Sequence, residues 1–454
     1  MSAFDLIVRG GTVVRGGCEV ADVGVADGVI SAVGPDLEGG AREEIDARGL
    51  LVLPGAIDAH VHFNEPGRTR WEGFASGTRA LAAGGTTLCV EMPLNAHPPT
   101  TDGESFDLKL AAAKASAHVD FALWGGIVPG RVGRMEELAG RGVAGFKAFM
   151  SATGTPDFEA ADDLTLYEGM QEAARLGLPV LVHAENRQIT DALARRATSA
   201  LRTTMRDYLA SRPAVAELEA IGRAILLASE AGCSLHIVHV STGRGVALVA
   251  AARERGVDVT CETCPHYLLF TDEDAVRIGA AAKCAPPLRP REEVESLWEQ
   301  VLAGNVAFVT SDHSPCPPDM KAGEDMFRAW GGISGCQSLL PALLDEGYHG
   351  RGLPPERLAE LLSANVARRF GFAGKGGIEE GNDADLALVD PSGEHVLREE
   401  DLHYRHPISP YVGRSFRGRV VRTILRGRTV FEGGRVVSGP AGRFVRPQRE
   451  KGER

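Results

Sequence analysis

Short apolar runs alternate with stretches of helical periodicity through the middle of the chain. Toward both ends they give way to strand-length segments joined by glycine-rich turns. From Phe4 to about Leu53, the pieces FDLIVRGGTVV, VADVGVADGVISAVG and EIDARGLLVLPG predict a small antiparallel β-unit. A similar texture returns in ADLALVDP and VRTILRGRTVFEGGRVV, where Arg426-Gly427-Arg428 predicts a hairpin turn. Between them lie eight candidate strands: AIDAHVHF, TTLCVEMP, HVDFALWGGIV, AGFKAFM, PVLVHAE, SLHIVHV, DVTCETCPHYL and NVAFVTSDHSP. Helical periodicity fills most of the intervals, as in ESFDLKLAAAKASA, LYEGMQEAARLG and RPAVAELEAIGRAILLASEAG.

Eight strands, each followed by a crossover long enough to return in parallel, predict an α/β fold with a (β/α)8 TIM barrel. A doubly wound open sheet would show fewer strands and a glycine-rich phosphate turn after the first, and neither is present. The flanking segments predict one β-sandwich made from both ends of the chain. The expected division is residues 1–53 and 373–440 for the two parts of the sandwich and 54–372 for the barrel. Residues 441–454 form a Pro, Gly and Arg-rich tail expected to be flexible. Loops 151–162 and 187–212 are long enough to gate a site at the strand ends.

Composition narrows the function. Apolar residues make up 44% of the 454, charged residues 24% and aromatics 6%, so a large core of Val, Leu, Ile and Ala can form and disorder is excluded. The 49 basic and 61 acidic residues leave a net charge of −12, which argues against nucleic acid or an anionic membrane as partner and favours a small-molecule substrate. No apolar run approaches the ~20 residues needed to span a bilayer, and the start of the chain alternates like a strand. Eight unevenly spaced cysteines read as reduced thiols in a cytoplasmic protein. Cys261 and Cys264 form a CxxC without the second pair a zinc cage needs, so incidental thiols are the reading there. The arginine-rich stretch from Arg414 to Arg428 alternates with apolar residues, as a solvated sheet face does. Only seven of the 49 basic residues are lysines, so a lysine inside an apolar strand requires a reason.

In such a barrel the site lies at the C-terminal ends of the strands. Strand one closes with His60 and His62, whose spacing puts both imidazoles on one face. Strand four carries Lys147, strand five His183, strand six His239 and strand eight Asp312. Singly, each has a bland reading: a packed histidine, a lysine paired with a carboxylate, a helix-capping aspartate. Together they resist a packing explanation, because buried imidazoles and carboxylates are costly without partners. Lys147, in the apolar run GFKAFM, would face desolvation as an ammonium. Carbamylated by carbon dioxide, it offers two anionic oxygens able to bridge two divalent cations. His60, His62 and Asp312 would then serve one ion and His183 and His239 the other. Such imidazole-rich coordination suits Zn, with Co, Mn, Fe or Ni as substitutes, and does not suit Ca or Mg.

The segments PGAIDAHVHFNEPGRTRWEGF, GFKAFMS, LVHAEN, HIVHVS, TCPHYL, KCAPPLR, TSDHSPCPPDMKAG, AWGGISG and LHYRHPISPYVGRSFRGRV resemble the cyclic-amidohydrolase branch of the amidohydrolase superfamily, most closely its allantoin-opening members. The resemblance covers nearly the whole chain. It implies a barrel flanked by a β-sandwich, a binuclear metal site, N6-carboxylated Lys147, a homotetramer, and ring opening of allantoin to allantoate in purine breakdown. All six metal-ligand positions are present. Dihydroorotases carry an arginine where this sequence has Asn64, and a neutral amide cannot grip a substrate carboxylate in the same way. Hydantoinases and dihydropyrimidinases place a tyrosine shortly after the lysine, but Lys147 to Thr153 holds none, leaving Ser314 as an alternative donor or simply a turn hydroxyl. By the same resemblance, Ala285 and Gly332 are candidate substrate contacts through their backbones. Asp312 is the expected catalytic proton carrier. Hydantoinase, dihydropyrimidinase and dihydroorotase activities remain alternatives, as does a non-catalytic assembly protein on the same fold.

Overall fold

The computed structural model describes residues 4–448. Strands β1 (Phe4–Val14), β2 (Cys18–Ala26), β3 (Val29–Gly34), β4 (Ala41–Asp46) and β5 (Leu51–Pro54) open the chain. Strands β1 to β3 form the expected antiparallel meander, whereas β4 and β5 both run parallel to β1. Turn spacing identifies these segments as strands but does not encode which distant edge they join. From the C-terminal side come β15 (Leu386–Val396), β16 (Ser415–Leu425), β17 (Arg428–Glu432) and β18 (Arg435–Val436). The hairpin falls at the expected place: Arg426 and Gly427, at φ 45° and 71°, turn β16 into β17.

Strand β5 pairs antiparallel with β15, so both ends of the chain share one nine-stranded sheet. This sheet encloses a core drawn from both ends, including Leu6, Val8, Val23, Val52, Leu388 and Ile424.

All eight expected barrel runs contain strand: β6 (Ala56–Val61), β7 (Thr86–Glu91), β8 (Asp120–Leu123) with β9 (Gly125–Gly126), β10 (Phe146–Phe149), β11 (Val180–His183), β12 (Leu235–Ile237), β13 (Val259–Thr263) and β14 (Phe308–Val309). Pairing is parallel throughout, and the circle closes where His62 N donates to His313 O at 2.7 Å and Ala144 N to Leu123 O at 2.9 Å. Alternate residues divide between two cores, as a strand's two-residue period requires. Phe121, Phe146, Val180 and Val182 pack toward Leu81, Leu166, Ile221 and Val246 of the surrounding helices. Leu88, Val90, Ala122, Leu181 and Phe308 fill the interior. Lys147 and His183 have the parity of Phe149 and Leu181 and so face inward.

Two local expectations change. Residues 187–212 are not an open loop but hold the helices Arg187–Ser199 and Met205–Ala210. The first carries Ile189, Leu193 and Ala197 at helical spacing, although only Thr190 and Ala197 are buried. The tail also docks as far as it is described. Phe121 N donates to Arg443 O, Val445 N donates to Phe121 O, and Phe444 packs edge-on against Phe106. One aromatic side chain and unpaired backbone at the edge of β8 are enough to seat a segment whose composition reads as solvated; the last six residues lie outside the described ones.

Candidate metal centre and its cleft

The six residues expected at the strand ends come together in one buried cluster. His60, His62, His183 and His239 are 1–4% exposed and Lys147 is fully buried. The rings of His60 and His239 lie 5.3 Å apart and those of His183 and His239 4.7 Å apart. His60 Nε2 and His62 Nε2 stand 3.2 and 3.5 Å from one oxygen of Asp312, and His183 Nδ1 stands 3.0 Å from His239 Nε2. Ligand atoms around a tetrahedral ion with ~2.0 Å bonds are separated by about 3.3 Å, so these spacings suit cation ligands. His60, His239 and Asp312 also place donor atoms within 4.8 Å of one another. Asp312 caps no helix; it and His239 adopt left-handed backbone conformations, φ 45° and 41°. Such conformations are costly for non-glycine residues and tend to cluster at functional sites.

Lys147 Nζ has no hydrogen-bond partner and lies 5.0 Å from the centre of the Phe149 ring. Burial lowers its amine to about 7, against the opposing pull of Asp312 and Glu262. Burial likewise lowers His60, His62, His183 and His239, which favours the neutral imidazoles that ligate metals. An orphaned amine between facing imidazole nitrogens and a carboxylate is a donor set short of an electrophile, and it fits divalent cations.

Carboxylates outside the expected set hold these groups. Glu262, at the end of β13, accepts from His60 Nδ1 at 2.6 Å and from His236 Nε2 at 3.1 Å, while Thr260 Oγ1 lies 2.7 Å from His236 Nδ1. The chain Thr260–His236–Glu262–His60 therefore leaves His60 Nε2 free to face Asp312. Glu185 does the same for His183, 2.9 Å from its Nε2, and pairs with Arg212. Asp58 accepts from the backbone N–H groups of His60 and Ser311, tying strand one to strand eight. Glu91, paired with Lys109 in full burial, accepts from Phe63 N. Asp58, Glu91 and Glu262 are charged residues within buried strands, and Glu185 lies two residues past the end of one, much the signal that singled out Lys147.

A cleft of about 570 Å³, lined by Trp71, Tyr208, Arg212, Lys283, Ala285 and Trp330 among others, connects to the cluster through Arg212, whose partner Glu185 holds His183. The 151–162 loop contributes Thr153 and Thr155 to its wall. The other candidate contacts gather beside it. Asn64, fully buried at φ 62°, directs Nδ2 toward Pro315 O at 3.5 Å, and its Oδ1 has no partner. Ser314 receives the Asn95 amide at 3.5 Å. A Cβ on Gly332 would stand 2.3 Å from Ser314 O, so only glycine lets these two turns touch. Cys261 and Cys264 are both buried, and among the described residues no disulfide forms.

Eight parallel strands with this cluster at their C-terminal ends define a barrel hydrolase with a candidate metal-binding centre. The chain matches the amidohydrolase family over residues 51–430 and belongs to that family. Within it, the chain is 58% identical over 445 residues to an allantoinase of Solibacter usitatus, covering 98% of this chain and 97% of that one. It is 49% identical to an allantoinase of Deinococcus radiodurans, covering 98% and 99%. Among solved structures, the L-hydantoinase (dihydropyrimidinase) from Arthrobacter aurescens superposes with a TM-score of 0.95 at 38% identity, covering 98% and 100%. Among the described residues, no helix is long and apolar enough to cross a membrane.

Proposed function

We propose that this chain hydrolyses the hydantoin-ring amide of allantoin to give allantoate, as a metal-dependent cyclic amide hydrolase. The carrying observation is the convergence of buried His60, His62, Lys147, His183 and His239 with partly exposed Asp312 in one cluster. The allantoinase relatives support the substrate.

His60, His62 and Asp312 would hold one divalent ion, and His183 and His239 a second, with carboxylated Lys147 between them. The neutral Lys147 amine attacks the carbon of carbon dioxide; a C–N bond forms, one proton leaves, and a carbamate anion remains. Zn suits the imidazole-rich donors, with Co, Mn, Fe or Ni as substitutes. Bound ions supply a hydroxide nucleophile near neutral pH and polarise the scissile carbonyl. Asp312 takes the proton that the nucleophile gives up and delivers it to the ring nitrogen as the amide C–N bond breaks. Ser314 donates to the oxyanion that develops on the carbonyl. Asn64 and the backbones of Ala285 and Gly332 orient the ring. The reading extends to a cytoplasmic homotetramer with no nucleic-acid or membrane partner.

Hydantoinase activity is the second reading, favoured by the structural likeness to the L-hydantoinase. Turnover of allantoin, hydantoin, dihydrouracil and dihydroorotate, measured on protein of known metal content, separates them. Allantoin should be opened at least tenfold more efficiently than the others. A preference for any other ring, or full activity without metal, overturns the reading.

A further inference from the structure

Lysine is scarce in this chain, and two of its seven lysines, Lys283 in the cleft wall and its neighbour Lys321, form no salt bridge among the described residues. Among the described residues, lysine ion pairs form at Lys109 and Lys375, not at Lys283 or Lys321. Lys321 is fully committed: its Nζ donates to Ala280 O at 2.7 Å, Trp330 O at 2.9 Å and Gly332 O at 2.7 Å, one carbonyl for each N–H. Lys283 is not. Its Nζ donates to Ala329 O at 2.5 Å and lies 4.5 Å from the Tyr208 ring centroid, so at most one of its three N–H groups meets a hydrogen-bonding protein atom. Lys283 nonetheless lines the cleft, two residues from Ala285 and next to Trp330 and Gly331.

The other cations of the cleft are occupied. Arg68 pairs with Asp157 and donates to two backbone carbonyls. Arg212 pairs with Glu185, and Arg328 stands exposed beside Asp325. Burial, reinforced by the neighbouring Lys321 and Arg212, lowers Lys283 to about 7, as befits an ammonium short of acceptors.

We infer that Lys283 determines specificity for the group carried on the ring: its ammonium hydrogen-bonds the carbonyl oxygen of the ureido arm that allantoin has and unsubstituted hydantoin lacks. This rests on the proposed allantoin reading, in which Ala285 and Gly332 orient the ring; Ala285 and Lys283 line the same cleft, so a substituent on a ring held there has Lys283 within the surrounding wall.

The first measurement uses the unaltered, metal-loaded protein. 5-Acetamidohydantoin keeps the exocyclic carbonyl, and 5-isobutylhydantoin has nearly the same shape without it. The first should inhibit allantoin turnover about tenfold more tightly, the discrimination expected of a charged hydrogen bond. Equal inhibition overturns the assignment, whether or not any variant folds. In Lys283→Met the preference should fall below twofold, while the inhibition constant of plain hydantoin stays within twofold; Lys283→Arg should restore part of the preference. Equal weakening of all three ligands would mark Lys283 as merely structural and overturn the inference. Should the unaltered protein fail to open allantoin, the proposed function falls, and calorimetric binding of the same three ligands still decides the role of Lys283.

Discussion

Replacing Glu262 by glutamine tests whether the carboxylate beneath the cluster does chemical work. One oxygen of Glu262 meets His60 Nδ1 at 2.6 Å and the other meets His236 Nε2 at 3.1 Å. A carboxylate accepts from both rings at once; a carboxamide of the same shape has one acceptor oxygen and must turn an N–H₂ toward one of them. Thr260 Oγ1 can donate to or accept from His236 Nδ1, so His236 can change tautomer; where the amide oxygen stays on His236 instead, the conflict falls on His60. Its ring then either loses its Nδ1–H partner or moves the proton to Nε2, the nitrogen that faces Asp312. Losing such an outer partner typically costs 10- to 100-fold in metal affinity, about 1.4–2.7 kcal/mol. The assay is competition for zinc between the protein and a chelator of known affinity, with thermal unfolding of the metal-free protein as a control. Zinc affinity within twofold of the parent, with kcat unchanged, would refute the reasoning. So would equal loss of stability in the metal-free protein, since the damage would then be to the fold.

Lys147→Ala should abolish two-metal loading and turnover, and millimolar acetate or propionate should restore both in part; full loading without rescue contradicts the bridging carbamate. Asp312→Asn should keep substantial metal by elemental analysis yet lose about 10²- to 10⁴-fold in kcat. Lys375 Nζ sits 2.6–2.8 Å from Asp120, Asp383 and Asp385, so Lys375→Met strands buried carboxylates and should cost about 3–5 kcal/mol in urea unfolding. Asp22 is buried, yet Arg9 and the backbone N–H groups of Gly10 and Leu37 hold its carboxyl below the usual range. A depressed folded-state pKa stabilises above the unfolded value near 3.8 and is lost as pH falls through the folded one. Asp22→Asn should therefore lower the melting temperature at pH 7 and by clearly less at pH 3.

The barrel was legible because its strands are continuous apolar runs, and the cluster because His60, His62, Lys147, His183, His239 and Asp312 are polar interruptions at equivalent ends of those runs. Glu262 and Glu185 carry the same mark, but a carboxylate beside a histidine becomes meaningful only when the strands are side by side. Glu262 meets His60 from far away in sequence; Glu185 sits two residues from His183, but its charge partner Arg212 lies beyond two helices. The helix at Arg187–Ser199 has apolar residues at helical spacing, Ile189, Leu193 and Ala197, but charged and polar residues outnumber them. The parallel pairing of β4 and β5 with β1 escaped notice because register between distant segments leaves no local trace.

The sheet shared by both termini imposes an order on synthesis. Strand β5 is translated early, yet its partner β15 emerges only after the whole barrel, with Leu51 waiting for Val389. Until then Leu6, Val8, Val23 and Val52 have no Leu388 or Ile424 to cover them, so the first strands leave the ribosome as sticky, half-built material. A chain stopped after residue 372 should accordingly aggregate even though every barrel strand is present, and supplying residues 373–448 in trans should recover soluble protein.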